Sequence, residues 1–455
     1  MPCAVVRARF VSRAAVLVLF AIARATATAG EIPTDTNAIE QLTPAEARKL
    51  VAEFPGAQVQ FAPAGDTSVT TSARGLPLSG LKSLDVETAN ALAGYAGELV
   101  LGGVTSLDAA TAEALTNGKA YSIYLHGLTE LDADTARVLA ASKNVQGWLP
   151  KLATLDDAAA EALADFKVND LHLDGLTAIS PQVAESLSRS AAVNVHLSGV
   201  TTLSAKAAKA LAGSGRGRDG VMLHLQGLTE LDPETAAALA ASKAWNGRLP
   251  QLATLDAATA KALAAFAGLQ LDLNGVTELD AETARTLADC KCQVLSLGGL
   301  DTLDAETARA LADCKGKFLV LGGLATLDAE TARGLVKFQG SGLFLLGLTS
   351  LDAESAKALA AIDKWNGDLS SIVAIESPDS VEIAKALAAR KGPLSLPNLE
   401  KISPNTLTAL IEKQDIVMPL LETLELIPEP DGSSSEDVII PAGFQARQRE
   451  QQQKQ

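Results

Sequence analysis

The chain has 455 residues, 47% hydrophobic and only 4% aromatic, so it can bury a large core that must be built from aliphatic side chains. Its 54 acids against 38 bases give a net charge of -16, which excludes a generic nucleic-acid binder and a protein docked on anionic lipid, because both need a basic surface. The apolar share is too high for a disordered chain, and four cysteines are too few for a disulfide scaffold.

Residues 1–30 read as a secretory signal. Arg7, Arg9 and Arg13 precede an apolar run from Ala14 to Ala23, and Ala27-Thr28-Ala29 supplies a cleavage site. The run is about ten residues long, half of a membrane span. A transit peptide is the competing reading, and the continuous rather than amphipathic apolar block weighs against it. No later segment is long and apolar enough to cross a membrane. The expectation is a protein that works outside the cytoplasm, secreted or periplasmic. Residues 31–75 then read as an N-terminal capping repeat and an insert. Thr43 caps a helix, Pro44 suits its first position and Glu46 completes a capping box. Residues 55–75 form a polar stretch containing glycine and proline.

From residue 76 to 426 one unit is copied many times. Leu295-Ser296-Leu297-Gly298-Gly299-Leu300 followed by Asp301-Thr302-Leu303-Asp304-Ala305-Glu306-Thr307-Ala308-Arg309-Ala310-Leu311-Ala312 is one copy, and the next begin at Leu319 and Leu343. Leu-Asp pairs recur from Leu231 to Leu351 with a period of 24. Earlier pairs stand at Leu84, Leu107, Leu131 and Leu155, while Ile179-Ser180 and Leu203-Ser204 hold the same slot. Four extra residues fall between Leu203 and Leu231, near Gly213 to Arg218. Weaker copies follow at Ile375 and Ile402.

The two halves of the unit have different periods. Leu-x-Leu-x alternates every second residue, as a short strand with one buried face does. The half from Asp304 reads as a helix. Asp304 is the N-cap and Glu306 favours the positive end of the helix dipole. Ala308, Leu311 and Ala312 form the inward stripe. A strand-plus-helix unit of this size cannot cover its own apolar face, so successive units stack, strands parallel, about 4.8 Å apart. Helices are wider than strands, which curves the stack with its sheet inside.

On these residues the unit resembles the leucine-rich repeat, most closely the cysteine-containing, bacterial secreted type. Leu300 takes the cysteine slot and Leu303-Asp304 the slot before the helix. The resemblance implies an α/β, right-handed solenoid with a parallel sheet on the concave side and helices on the convex side. It implies partner binding in general and no particular ligand. The asparagine ladder of the commonest subtype is missing. Gly227, Gly275, Gly299, Gly323 and Gly347 sit near its slot, so turn hydrogen bonds must be met differently. Leu420 to Leu426 reads as a last strand, and residues 427–455 as a disordered polar tail.

In Leu-x-Leu-x both x side chains point away from the core. Down the stack, the first x runs Tyr124, Trp148, His172, His196, His224, Arg248, Asp272, Ser296, Val320, and the second runs His126, Pro150, Asp174, Ser198, Gln226, Pro250, Asn274, Gly298. All four histidines of the chain lie in these two columns. The candidate ligand-binding residues are therefore Tyr124, His126, Trp148, His172, Asp174, His196, His224, Arg248 and Asp272, of types that binding hot spots favour. The competing reading is that duplication copied an idle histidine. Two adjacent imidazoles are close enough to share an ion, with Asp174 as third ligand, but no close-spaced metal motif is present and no metal or other cofactor is assigned. A row of three histidines should make binding sensitive to pH.

Trp148-Leu149-Pro150 and Arg248-Leu249-Pro250 are near copies framing the histidine rungs. Each proline removes a donor and should disturb the sheet, and block duplication explains the pair better than two notches bounding a site. The repeated aspartates read as helix caps rather than a calcium ladder. Cys290 and Cys314 share a slot on neighbouring rungs, so a bridge between them, pairing of one with Cys292, and plain burial all stay open. No nucleophile-elbow, zinc-protease or phosphate-loop motif is present. His172, Asp174, His196 and Ser198 share a face, but an open sheet supplies no oxyanion hole. The reading is a non-enzymatic, extracytoplasmic scaffold that binds a neutral or basic protein or glycan through its sheet, not nucleic acid. The alternatives are a structural cell-envelope protein without a dedicated site and, behind it, a metal-dependent hydrolase.

Overall fold

The structure is a computed structural model that describes residues 35–452, except 55, 58–59, 62–68, 71–74, 214–220, 431 and 433–437; at 60–61, 69–70 and 450–452 only the backbone is described. The signal-like segment 1–30 and most of the insert 55–75 lie outside the described residues, as do most of the extra residues after Leu203. No helix among the described residues is long and apolar enough to cross a membrane.

Strand, turn and helix alternate along the chain in an α/β solenoid. Regular rungs pair in parallel with a 24-residue offset, as in Leu295↔Leu319 and Leu319↔Leu343. The leucines on both sides of each x are fully covered: Leu295, Leu297, Leu319 and Leu321 have no exposed surface. Each contributes about 1.5–3 kcal/mol through burial. Successive helices pack side by side, and one continuous core runs from Ala47 to Phe444. Alanines at the inner helix positions, such as Ala284, Ala308 and Ala332, are also fully buried, which lets neighbouring helices approach closely.

The aspartates cap as expected. Asp304 Oδ1 accepts from the backbone amides of Glu306 and Thr307, both at 2.8 Å. Ser180 and Ser204 do the same work where serine replaces aspartate. Thr43, Pro44 and Glu46 form the capping box at helix Pro44–Glu53. With no asparagine ladder, the turns close on themselves: the amide of Leu128 donates to the carbonyl of Leu125, and that of Leu176 to Leu173, both at 3.1 Å. The glycines of that slot have a packing reason. A Cβ at Gly227, Gly299 or Gly323 would overlap a backbone carbonyl of the preceding rung.

The sheet is not continuous. Three-residue strands pair as Gly75–Pro77 with Glu98–Val100 and Ser122–Tyr124, then Asp170–His172 with Asn194–His196 and Met222–His224, then from Gln270–Asp272 to Gly342–Phe344. The breaks fall at the Trp148 and Arg248 rungs. Proline is not their cause. The amide of Leu149 still donates to the carbonyl of His172, and the second-x slot supplies no sheet bond even on regular rungs, where the Ser198 amide goes to the Asp174 side chain instead. The distortion lies upstream. Val145 bridges to Ile123 while Trp148 bridges to His172, so residues 146 and 147 are squeezed between two registers. Asn246-Gly247-Arg248 and Asn366-Gly367-Asp368 repeat this kink, with Gly247 and Gly367 at φ near +76° and +79°, where glycine is favoured.

Of the cysteine readings left open, pairing with Cys292 is the one found, and two expectations for the C-terminal end are corrected. Cys290 is bonded to Cys292, two positions away, with 5.4 Å between their Cα atoms, and Cys314 is free and buried. The polar tail is not without structure. Residues Ala442–Gln452 form a helix whose Phe444 is buried in the core cluster. Gln448 ties it down, accepting from the Leu421 amide at 2.9 Å and donating to the Pro419 carbonyl at 3.2 Å. One aromatic side chain and one amide outweigh the polar composition there. The segment read as the last strand is a 3-10 turn at Leu421–Thr423 followed by the two-residue strand Glu425–Leu426.

Candidate functional site

His172, His196 and His224 are register partners on three consecutive strands, so the strand period alone places them in one row. The extra residues before Met222 do not disturb this, because they fall between helix Ala205–Ala212 and the next strand. The imidazoles stack. The centroids of His172 and His196 are 4.0 Å apart with planes 8° from parallel, and those of His196 and His224 are 4.3 Å apart at 11°. Trp148 meets His172 edge-on at 6.3 Å, and His126 meets Trp148 at 5.4 Å. His126 lies over Gly102, where any Cβ would overlap its ring. The result is one ladder of five aromatic rings along the sheet face.

A hydrogen-bond chain fixes the rings. His172 Nδ1 donates to Asp174 Oδ2 at 3.1 Å. His196 Nε2 donates to Asp170 Oδ1 at 3.2 Å, and the Asn194 amide donates to the same oxygen at 2.9 Å. His224 Nδ1 accepts from the Asn246 amide at 3.0 Å, which leaves the proton on Nε2, facing Asn194 Oδ1 at 3.5 Å. Burial, then the neighbouring His196, holds His224 down to a pKa of about 4, so it is a neutral imidazole at pH 7. Burial, then Lys151, also lowers His126. Asp174 is pushed up by burial, but hydrogen bonds from His172 and Ser198 outweigh this and leave it below the usual carboxylate range.

The remaining candidates divide between the two ends. Tyr124 is half-buried and lines a cleft of about 420 Å³ beside the Trp148 kink, with Lys143, Lys167, Asp170 and His172. Burial, then Glu98, raises its hydroxyl pKa. Arg248 and Asp272 stand beyond the second kink and pair with each other, Nε to Oδ2 at 3.5 Å. Asp272 is buried, and its other oxygen accepts from the Asn274 amide at 3.1 Å, so this carboxylate is committed to the fold. The imagined hydrolytic set is not assembled, since Ser198 Oγ donates to Gln226 Oε1 at 3.2 Å rather than to an imidazole.

Asp170, Asn194 and Asn246 escape the two-column reading. The signal for Asp170 and Asn194 was present: alternation puts residues 170, 172 and 174 on one face, so a third column precedes the first leucine of each strand. By spacing Asn246 belongs to the same column, but its rung is kinked: Trp245 bridges to Leu223, which brings Asn246 beside His224.

No family model and no curated protein matches the chain. Among solved structures it is similar to a chain of the TLR13–ssRNA13 complex, at 16% identity over 70% of this chain and 50% of that one, with a TM-score of 0.40. It is also similar to a chain of the glycosylated Toll–Spatzle complex of Drosophila, at 11% identity over 75% of this chain and 53% of that one, with a TM-score of 0.35. The chain thus spans about half the length of either. These likenesses are loose and carry no residue roles across.

Proposed function

We propose that the chain is an extracytoplasmic binding scaffold that holds a protein or glycan partner on its sheet face, between Tyr124 and the Arg248–Asp272 pair. The ring ladder from His126 to His224 is the observation that carries this reading. Three stacked imidazoles and His126, each partly exposed and backed by the buried Trp148, give a rigid surface that loses little side-chain entropy on binding. Asp174, Asn194 and Asn246 hold the rings before any partner arrives. The regular helices and strands serve as the frame that keeps this row straight. The face is open, which suits recognition rather than turnover that must exclude water. The net charge of -16 favours a neutral or basic partner. The leader-like residues 1–30 support a place outside the cytoplasm.

The test is capture from the extracytoplasmic fraction of the source cells, comparing the native chain with one carrying His172→Ala, His196→Ala and His224→Ala. The partner should be lost by the variant while its circular dichroism is unchanged. A partner retained at full affinity would overturn the assignment of this face.

A further inference from the structure

Within the ladder, His196 Nε2 and Asp170 Oδ1 are 3.2 Å apart. Two ligands on one tetrahedral zinc ion lie about 3.3 Å apart, given metal–ligand bonds of about 2.0–2.1 Å. One nitrogen or oxygen atom from each of Asp170, His172 and His196 lies within 4.8 Å of the others. We propose that these three side chains form a binding site for a divalent transition-metal ion of the zinc type.

The surroundings have the form such a site needs. Asp174 accepts the hydrogen bond from His172 Nδ1, which keeps the proton there and leaves Nε2 as the ligand atom. A carboxylate behind a ligating histidine is the usual outer partner, since it sets the tautomer and makes the ring a better donor. Asn194 holds the Asp170 carboxylate from the side. His224 is excluded from the set, because both its nitrogens face amide groups, and it packs flat against His196 instead. With neutral imidazoles, Asp170 and Asp174 contribute two negative charges, which a divalent ion balances. Two histidines and one carboxylate suit zinc and its neighbours better than magnesium or calcium, which prefer oxygen alone. The side chains of His172, His196 and Asp170 keep 21%, 20% and 48% of their surface exposed, so the ion can enter and the fourth position stays open to water or a partner group. Binding displaces the proton that His196 Nε2 shares with Asp170, either to solvent or to Nδ1 by a change of tautomer, and otherwise requires rotation about side-chain torsions on an open face.

The site lies on the face assigned to partner recognition but rests on its own geometry, and it can be measured without any partner. The full chain, dialysed against EDTA and then freed of it, is titrated with zinc chloride by calorimetry and by competition with a chromophoric chelator. One ion per chain should bind. Asp170→Asn and His196→Ala should each weaken binding at least tenfold, Asp174→Asn should weaken it by about tenfold through the outer shell, and Glu230→Gln, an exposed carboxylate outside the set, should leave it unchanged. Cobalt substitution should give the visible absorption of a four-coordinate ion. Absence of saturable binding, or equal affinity in the His196→Ala chain, would overturn the site. Should a variant misfold, nitrogen NMR of the native chain decides: zinc must shift His172 and His196, and binding that leaves both unmoved also overturns it.

Discussion

The Thr331 hydroxyl lies 3.1 Å from the carbonyl oxygen of Leu303, 28 positions earlier, and 3.1 Å from the capping Asp328 Oδ2, and its one proton is shared between them. Thr135 reaches Leu107, Thr259 reaches Leu231 and Thr307 reaches Leu279 in the same way. These threonines are buried, and each ties the start of one helix to the turn of the preceding repeat. Replacing Thr331 by valine keeps the shape and removes the donor. The chain should lose about 1–2 kcal/mol, read as a lower urea midpoint at constant slope. An unchanged midpoint would mean that the hydroxyl contributes no net stability.

The period of the leucines was enough to set strand, helix, cap and register, because a strict repeat forces equivalent residues to stack. It placed His172, His196 and His224 in one row without coordinates. It did not reveal the threonine ties, since a buried hydroxyl on a helix looks like any other β-branched residue until the neighbouring carbonyl is located. The kinks at Gly147 and Gly247 were missed for a related reason: proline is conspicuous in a sequence, whereas two residues squeezed between registers leave the spacing of the leucines unchanged. Arg248 and Asp272 looked available as separate letters, but pair with each other once folded.

Acid should weaken the solenoid through its caps. Hydrogen bonds from the amide and hydroxyl three positions on hold Asp132, Asp232, Asp256, Asp280 and Asp304 below the usual carboxylate range. The unfolded chain therefore takes up these protons first as pH falls. The stability they contribute is complete above the ordinary value of about 4 and is lost as pH drops through the lower folded values. Urea midpoints should thus change little from caps between pH 7 and 5 and fall below pH 4. A chain with Asp256, Asp280 and Asp304 all replaced by asparagine, which caps without titrating, should decline less steeply. Equal slopes would remove the caps as the source.

The terminal helix should be a lid on the core rather than a loose tail. Phe444 is almost fully buried, and Gln448 makes both bonds that fix the helix to Pro419 and Leu421. Phe444→Ala should raise amide hydrogen exchange across residues 442–449 and at Leu421, while the repeats around His196 stay protected. Exchange that is already fast in the native chain would show that the helix does not dock.

Adjacent glycines should respond in opposite ways. A Cβ at Gly323 would overlap the carbonyl oxygen of Gly298 on the preceding rung, whereas nothing lies within 4 Å of one at Gly322. Both belong to the same turn, so helix propensity and local sequence are shared. The difference is the inter-rung spacing, which backbone hydrogen bonds such as Leu297 to Val320, at 2.9 Å, hold short. Gly323→Ala must push two rungs apart and should cost about 1–3 kcal/mol, as overpacking does. Gly322→Ala meets no obstacle and restricts the unfolded chain, so it should be neutral or stabilise by up to about 1 kcal/mol. Thermal unfolding of the two variants under one set of conditions gives the comparison, and equal losses would contradict the close approach of neighbouring turns.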